Sequence, residues 1–247
     1  MYQFFVEPSQ IQGNQARIVG KDVNHIKNVL RMKPGDKVIL KNGCDDKRYI
    51  CKIETVDERA VGCSISGVEE GSGELPSKVY LFQGMPKADK MEMIIQKAVE
   101  LGVYEVIPVM CKRTVVKLDE KKEKTKLARW QGIAEAAAKQ SKRQIIPKVK
   151  EIMDFQEAIR YSRLARVRMI PYELWEEMKE TKEIMSGLKP GEDVAVFIGP
   201  EGGLDEEEIR TAVKEGILPI TLGKRILRTE TAGMAALAII MYHLECQ

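Results

Sequence analysis

Histidine is scarce in this 247-residue chain and cysteine is without paired motifs, and each lack closes off a class of function. The two histidines, His25 and His243, stand at opposite ends, and none of the five cysteines (Cys44, Cys51, Cys63, Cys111 and Cys246) sits in a C-x-x-C pair. No compact ligand set for zinc or another metal is therefore expected. An odd number of cysteines, in a chain long enough to bury its own core, argues for reduced thiols and against a disulfide framework. No apolar run approaches the roughly 18 residues of a membrane-spanning helix; the longest, around Met234–Met241, is far shorter. The opening Met1-Tyr-Gln-Phe-Phe-Val-Glu lacks the basic start and apolar stretch of a signal peptide. These gaps predict a cytoplasmic protein with no metal and no membrane partner.

What the chain does have is core and charge. Hydrophobic residues make up 44%, enough to exclude wholesale disorder. Forty Lys and Arg against 37 Asp and Glu leave a net charge of only +3, but the balance is uneven along the chain. Cys111–Arg168 carries a local +10 and Met169–Glu215 a local −8. A basic block in a nearly neutral protein predicts a polyanion partner, usually nucleic acid. Its centre is Lys139–Lys150, with five positive charges and no negative one, including Lys139, Lys142 and Arg143. The competing reading is a solvated helix face, as in the mixed-sign Glu120–Lys126.

Residues 1–70 read as β. Apolar stretches at Gln3–Glu7, Gln15–Val19, Lys37–Lys41, Arg48–Val56 and Ala60–Gly67 are separated by turn signals at Lys33-Pro-Gly-Asp36 and Lys41-Asn-Gly-Cys44. Only Asp22–Arg31 shows helical spacing, through Val23, Ile26, Val29 and Leu30. A small β-barrel is expected, followed by a polar linker over 71–77. From residue 78 to 247 strands and helices alternate. Strands are predicted at Lys78–Gly84, Tyr104–Val109, Val167–Pro171, Asp193–Ile198 and Leu218–Leu222, and helices at Lys90–Leu101, Leu118–Gln140, Phe155–Tyr161, Trp175–Met185, Asp205–Glu215 and Thr229–Glu245. That alternation predicts an α/β domain on a mostly parallel sheet.

Two stretches carry chemistry. Val194-Ala-Val-Phe-Ile-Gly-Pro-Glu-Gly-Gly-Leu-Asp205 runs from an apolar strand through a glycine-rich turn into a helix, at a strand end where parallel α/β sheets collect ligands. It is neither G-x-G-x-x-G nor a Walker loop, and its helix opens with Asp205-Glu-Glu-Glu208. Those carboxylates suit the positive helix end and would repel a phosphate, so a neutral or cationic small molecule is the expected guest. A nucleotide-dependent enzyme thus lacks its phosphate loop. The second stretch, Leu222-Gly-Lys-Arg-Ile-Leu-Arg-Thr-Glu-Thr-Ala-Gly-Met-Ala-Ala236, passes from a strand end through a basic loop into a small-residue helix. Arg228 there could bind a phosphate, steady a developing negative charge, or simply pair with Glu230.

Together with His25-Ile-Lys-Asn-Val-Leu-Arg31, Gly35-Asp36 and Lys90-Met-Glu-Met-Ile-Ile-Gln-Lys-Ala-Val-Glu-Leu-Gly102, these motifs resemble the family that methylates N3 of a uridine in small-subunit ribosomal RNA, within the SPOUT superfamily. The resemblance spans the whole chain. It implies a PUA-like barrel that grips RNA, an α/β domain with a trefoil knot, S-adenosyl-L-methionine as cofactor, and a homodimer. By position, the cofactor would be lined by Pro171, Tyr172, Glu173, Ile198, Gly199, Pro200, Gly202, Leu222, Gly223, Ile226, Leu227 and Arg228. Arg228 would stabilise charge on the deprotonating uracil, with Glu201 or Glu230 as proton acceptor. His25, Lys27, Arg31, Lys139, Lys142 and Arg143 would meet the RNA, whether naked or in an assembled small subunit. Where the family carries an arginine beside the N-terminal aromatic pair, this chain has Tyr2-Gln3 before Phe4-Phe5, which shifts that contact to Arg31 or Lys27. Other readings of the same residues are a non-catalytic RNA-binding assembly factor and a SPOUT enzyme acting on another nucleotide.

Overall fold

A computed structural model describes residues 1–70, 73–116, 119–172 and 178–246. The chain forms two compact units. The first joins Met1–Glu74 with Ala138–Ile146, and the second holds Leu75–Ala137 and Pro147–Gln247.

In the first unit, strands β1 (Tyr2–Phe5), β2 (Ile11–Gln12) and β3 (Gln15–Val19) precede a short helix α1 (Lys21–Asn24), which continues as a wider turn over His25–Val29. Strands β4 (Lys37–Lys41), β5 (Lys47–Val56) and β6 (Ala60–Glu70) follow. The sheet order is β1-β4-β5-β6-β3-β2, antiparallel except for the β1–β4 pair. Alternation along β3 sends Ala16 and Ile18 inward, against Val38, Leu40, Ile53 and Val61. The sequence division leaves Lys139–Ile146 with the α/β domain and treats 71–77 as linker. Instead, Glu74 accepts hydrogen bonds from the Gln144 and Ile145 amides (2.7 and 3.1 Å) and pairs with the Arg143 guanidinium, while Gly43 bridges to Ile145. Buried Lys41 donates to the Lys142 and Arg143 carbonyls at 2.7 and 2.9 Å. Local composition could not show that a segment so distant in sequence completes this unit.

The second unit carries β7 (Val79–Gly84), α2 (Lys90–Glu100), β8 (Glu105–Met110), α3 (Glu120–Gln140), the two-residue strands β9 (Lys148–Val149) and β10 (Met153–Asp154), and α4 (Phe155–Tyr161). Then come β11 (Val167–Pro171), α5 (Met178–Ser186), β12 (Val194–Ile198), α6 (Glu206–Lys214), β13 (Leu218–Ile220) and α7 (Thr229–Glu245). Every strand pair is parallel, in the order β10-β8-β7-β12-β11-β13, with β9 also on β8. The central strands β7 and β12 are buried throughout, and Phe82 stacks on Phe197 at 4.4 Å between them. An apolar run buried on both faces is what a central parallel strand requires. Asp205 caps α6 in a capping box with Glu208, so the acidic helix start is partly structural.

The opposite charges of the two blocks in the sequence meet in this unit. Lys112 pairs with Asp205 (3.5 Å) and Glu207, Arg113 with Asp205 (3.5 Å), Arg163 with Glu215 (2.7 Å), and Arg166 with Glu192 (2.8 Å). Part of the local +10, at Lys112, Arg113, Arg163 and Arg166, is therefore answered by the local −8.

Candidate active site

The ends of β12, β11 and β13 and the start of α7 surround one cavity of about 410 Å³. The turn after β12 closes on itself through the Gly203 amide, which donates to the Pro200 carbonyl at 2.9 Å. It also lies hard against β7: a Cβ on Gly84 would come within 2.6 Å of the Pro200 nitrogen, so only glycine fits there. From the far side Arg113 donates to the Gly202 carbonyl at 3.2 Å.

The facing wall is the loop after β13. The Thr221 amide donates to the Thr181 hydroxyl (3.0 Å), and the Gly223 amide donates to the Thr221 hydroxyl (3.2 Å). Gly223 has φ +109°, and a Cβ there would meet nothing within 4 Å. It lines the cavity, so a side chain would both strain the backbone and occupy the ligand's space. Tyr172 is drawn in through its amide, which donates to the Ile220 carbonyl at 3.0 Å.

Ten of the twelve expected cofactor positions line this cavity: Pro171, Tyr172, Ile198, Gly199, Pro200, Leu222, Gly223, Ile226, Leu227 and Arg228. Gly202 does not; it faces Arg113 behind the turn. Glu173 lies outside the described residues. Sequence reasoning missed Lys90, Gly203, Leu204, Thr221, Arg225, Thr229 and Ala232 as lining residues. Arg225, Thr229 and Ala232 were visible in the second motif, and Lys90 opens the Lys90–Gly102 motif, but nothing in that motif ties it to this cavity.

Lys90 joins the two carboxylates expected as proton acceptors. Its Nζ lies 3.1 Å from Glu201 Oε1 and 3.4 Å from Glu230 Oε2, and these neighbours hold its pKa above the usual lysine value. Burial acts to raise the Glu201 pKa. Hydrogen bonds from its own backbone, from the Lys87 amide (3.0 and 3.2 Å) and from Lys90 outweigh burial and hold it below the ordinary range. Glu201 is thus an engaged carboxylate. Glu230 Oε2 is buried, and its one partner among the described residues is the Lys90 ammonium. Arg228 is exposed at the N-cap of α7, and no described carboxylate lies within ion-pair distance of it. Among the described residues Glu230 pairs with Lys90 and not with Arg228.

The expected RNA residues all lie in the first unit. His25 is exposed, edge-on to Phe4 with ring centroids 6.3 Å apart. Lys27 pairs with Glu58. Arg31 is exposed with φ +52°, and Lys142 with φ +62°. Lys139 pairs with Asp22 at 3.5 Å and sits over the Phe5 ring. Arg143 corrects the sequence reading. It is 4% exposed and committed to Glu74, so it anchors the segment and offers nothing to a phosphate.

Among the described residues no group of acids, cysteines and histidines could hold a metal, and no helix is long and apolar enough to cross a membrane. Residues 73–241 match the family model described as an RNA methyltransferase domain, and residues 18–66 the one described as an RNA methyltransferase PUA domain. The chain is 38% identical to ribosomal RNA small subunit methyltransferase E of Bacillus subtilis, over 99% of this chain and 98% of that protein. A methyltransferase structure from Legionella pneumophila, in complex with the cofactor SAM, superposes with TM-score 0.81 at 33% identity, covering 96% of each chain. The ribosomal RNA small subunit methyltransferase E of Neisseria gonorrhoeae, bound to S-adenosyl methionine, gives TM-score 0.78 at 30% identity over 96% of this chain and 95% of that one. With a PUA-like first unit, a parallel α/β second unit and full-length similarity of this order, the chain belongs to the ribosomal RNA small subunit methyltransferase E family of RNA methyltransferases.

Proposed function

We propose that the chain methylates N3 of one uridine in small-subunit ribosomal RNA, with S-adenosyl-L-methionine held in the cavity of the second unit. The observation that carries this reading is the cavity itself, closed by two glycine-bearing loops and lined by ten positions expected from sequence. Its volume falls in the range of roughly 300–1,000 Å³ usual for small-molecule sites. Its shape also fits: the open space beside Gly223 leaves room for a ligand. Ile198–Pro200, Leu222–Leu227, Pro171 and Tyr172 would hold the cofactor, which supplies the electrophilic methyl group.

The protein's own residues would do the rest. Arg228 stabilises the negative charge that spreads onto the uracil carbonyl oxygens as N3 loses its proton. Glu230 is the better proton acceptor of the two acids, because Glu201 accepts from the Lys87 amide as well as pairing with Lys90, whereas Glu230 meets Lys90 alone. In the first unit His25, Lys27, Arg31, Lys139 and Lys142 form the RNA-facing set. Unpaired bases are the ones proteins read on RNA, so the target uridine should be unpaired or splayed out. The chain would work in the cytoplasm as a homodimer; Ile226 at the cavity rim (84% exposed) and Tyr242 on α7 (64%) are apolar surface for a second copy to cover.

The deciding experiment is methyl transfer from labelled S-adenosyl-L-methionine to small subunits, and separately to naked rRNA, from a strain lacking the modification. One N3-methyluridine, mapped by mass spectrometry, is the expected product. A methyl group on another atom or nucleotide would refute the N3 assignment.

A further inference from the structure

Gln83 is out of character with its strand. It is fully buried at the end of β7, in the otherwise apolar run Val79-Tyr-Leu-Phe, where an amide is costly unless hydrogen-bonded. Its Nε2 donates to the Thr229 hydroxyl at 2.8 Å and to the Gly84 carbonyl at 3.0 Å. The Thr229 hydroxyl in turn donates to the Gly199 carbonyl at 2.6 Å. A short relay, amide to hydroxyl to carbonyl, therefore connects the end of β7, the start of α7 and the first residue of the turn after β12. Thr229 is itself 5% exposed and lines the cavity. Gln83 Oε1 accepts nothing among the described residues, so the amide's placement rests on its donor side.

The relay acts where positioning matters most. Gly199 opens the turn, and the residue after it is proline, which cannot donate a backbone hydrogen bond. The Gly199 carbonyl is thus a handle on a turn whose next residue has no amide hydrogen. Thr229 is the first helical residue after Arg228, whose own φ of −64° and ψ of 153° turn the chain into α7. Fixing the Thr229 side chain fixes that corner. We propose that Gln83 and Thr229 are a buried positioning pair that sets the spacing between the cofactor turn at Gly199 and the Arg228 corner, and so governs both cofactor affinity and the rate of methyl transfer. This inference rests on the reading of the cavity as the S-adenosyl-L-methionine site.

The test compares Thr229→Val, which keeps the shape and removes the hydroxyl, with Thr229→Ser, which keeps the hydroxyl, and Gln83→Met, which removes the amide. Calorimetric titration with S-adenosyl-L-methionine, at a temperature where each variant is folded, should show Thr229→Val weakened about tenfold and Thr229→Ser near wild type. Single-turnover methylation at saturating cofactor should fall in Thr229→Val, because Arg228 is no longer held. Gln83→Met should weaken binding too, and the double variant should lose less than the two singles combined, since both break one relay. A merely structural pair would lower the melting temperature while leaving the dissociation constant and the saturated rate at wild-type values. That result would overturn the inference. No binding of S-adenosyl-L-methionine by the wild-type protein would instead overturn the cofactor reading, and the inference with it.

Discussion

Two clusters of acids and bases in this molecule use the same residue types for opposite ends. In the cavity Lys90 lies between Glu201 and Glu230, with side chains 31%, 24% and 12% exposed, and Arg228 at the rim is exposed with no carboxylate partner among the described residues. In the first unit Arg143 and Glu74 are 4% and 10% exposed, and Lys41 is sealed beside them on the Lys142 and Arg143 carbonyls. The cavity cluster keeps contact with solvent, so a ligand still has something to meet. The Glu74 cluster spends its groups internally and ties residues 138–146 to the barrel. Partnering and exposure, not charge count, separate a site from an anchor.

The largest effect should come from breaking the anchor. Glu74→Ala leaves a buried guanidinium without its carboxylate, and loss of one partner of a buried pair costs about 3–5 kcal/mol. Denaturant unfolding should show this destabilisation, while S-adenosyl-L-methionine affinity of the folded protein stays unchanged. A loss of affinity as large as the loss of stability would erase the contrast between the clusters.

Arg228→Ala breaks the site instead. An arginine aimed at charge that appears only in the transition state should cost about 100- to 1,000-fold in single-turnover rate, with little change in cofactor affinity. Arg228→Lys keeps the charge but loses the planar fork, and should recover only part of the rate. Near-wild-type rates for both variants would remove Arg228 from the mechanism.

Salt dependence sharpens the comparison within the basic run. Lys142→Glu should flatten the log–log salt dependence of RNA binding by about 0.7, the value of one phosphate contact on single strands. Arg143→Met, by contrast, should act on stability. If the two variants changed the salt slope alike, the distinction between exposed and buried members of the run would fail.

A further contrast is in pH dependence. Burial, followed by the neighbouring Arg48, lowers the Lys41 pKa from 10.5 to about 8 against the opposing pull of Glu74 and Asp46. Between those two values the unfolded chain holds the proton and the folded one does not, so this lysine's contribution to stability rises with pH across that window. The stability difference between wild type and Lys41→Met, followed from pH 8 to 10.5, should shift toward wild type. A flat difference would mean that Lys41 stays protonated in the fold.

Much of this protein was determined by its sequence alone. Hydrophobic period identified the strand Gln15–Val19 and the helix Phe155–Tyr161, because each buries a face that its local spacing already displays. The glycine turn at 199–203 and the loop at 222–228 were legible for a similar reason: each follows a strand, and each breaks an apolar pattern with residues that only a close backbone approach explains. What tertiary structure decided were the partnerships across long separations. Nothing near Lys90 announces Glu201 and Glu230, and nothing near Gln83 announces Thr229, 146 residues away. Likewise Arg143 looks like its basic neighbours until Glu74 buries it. A charge's role depends on which opposite charge the fold brings within a few ångströms and how much water remains between them. Local spacing carries neither quantity, so these assignments belonged to the folded chain.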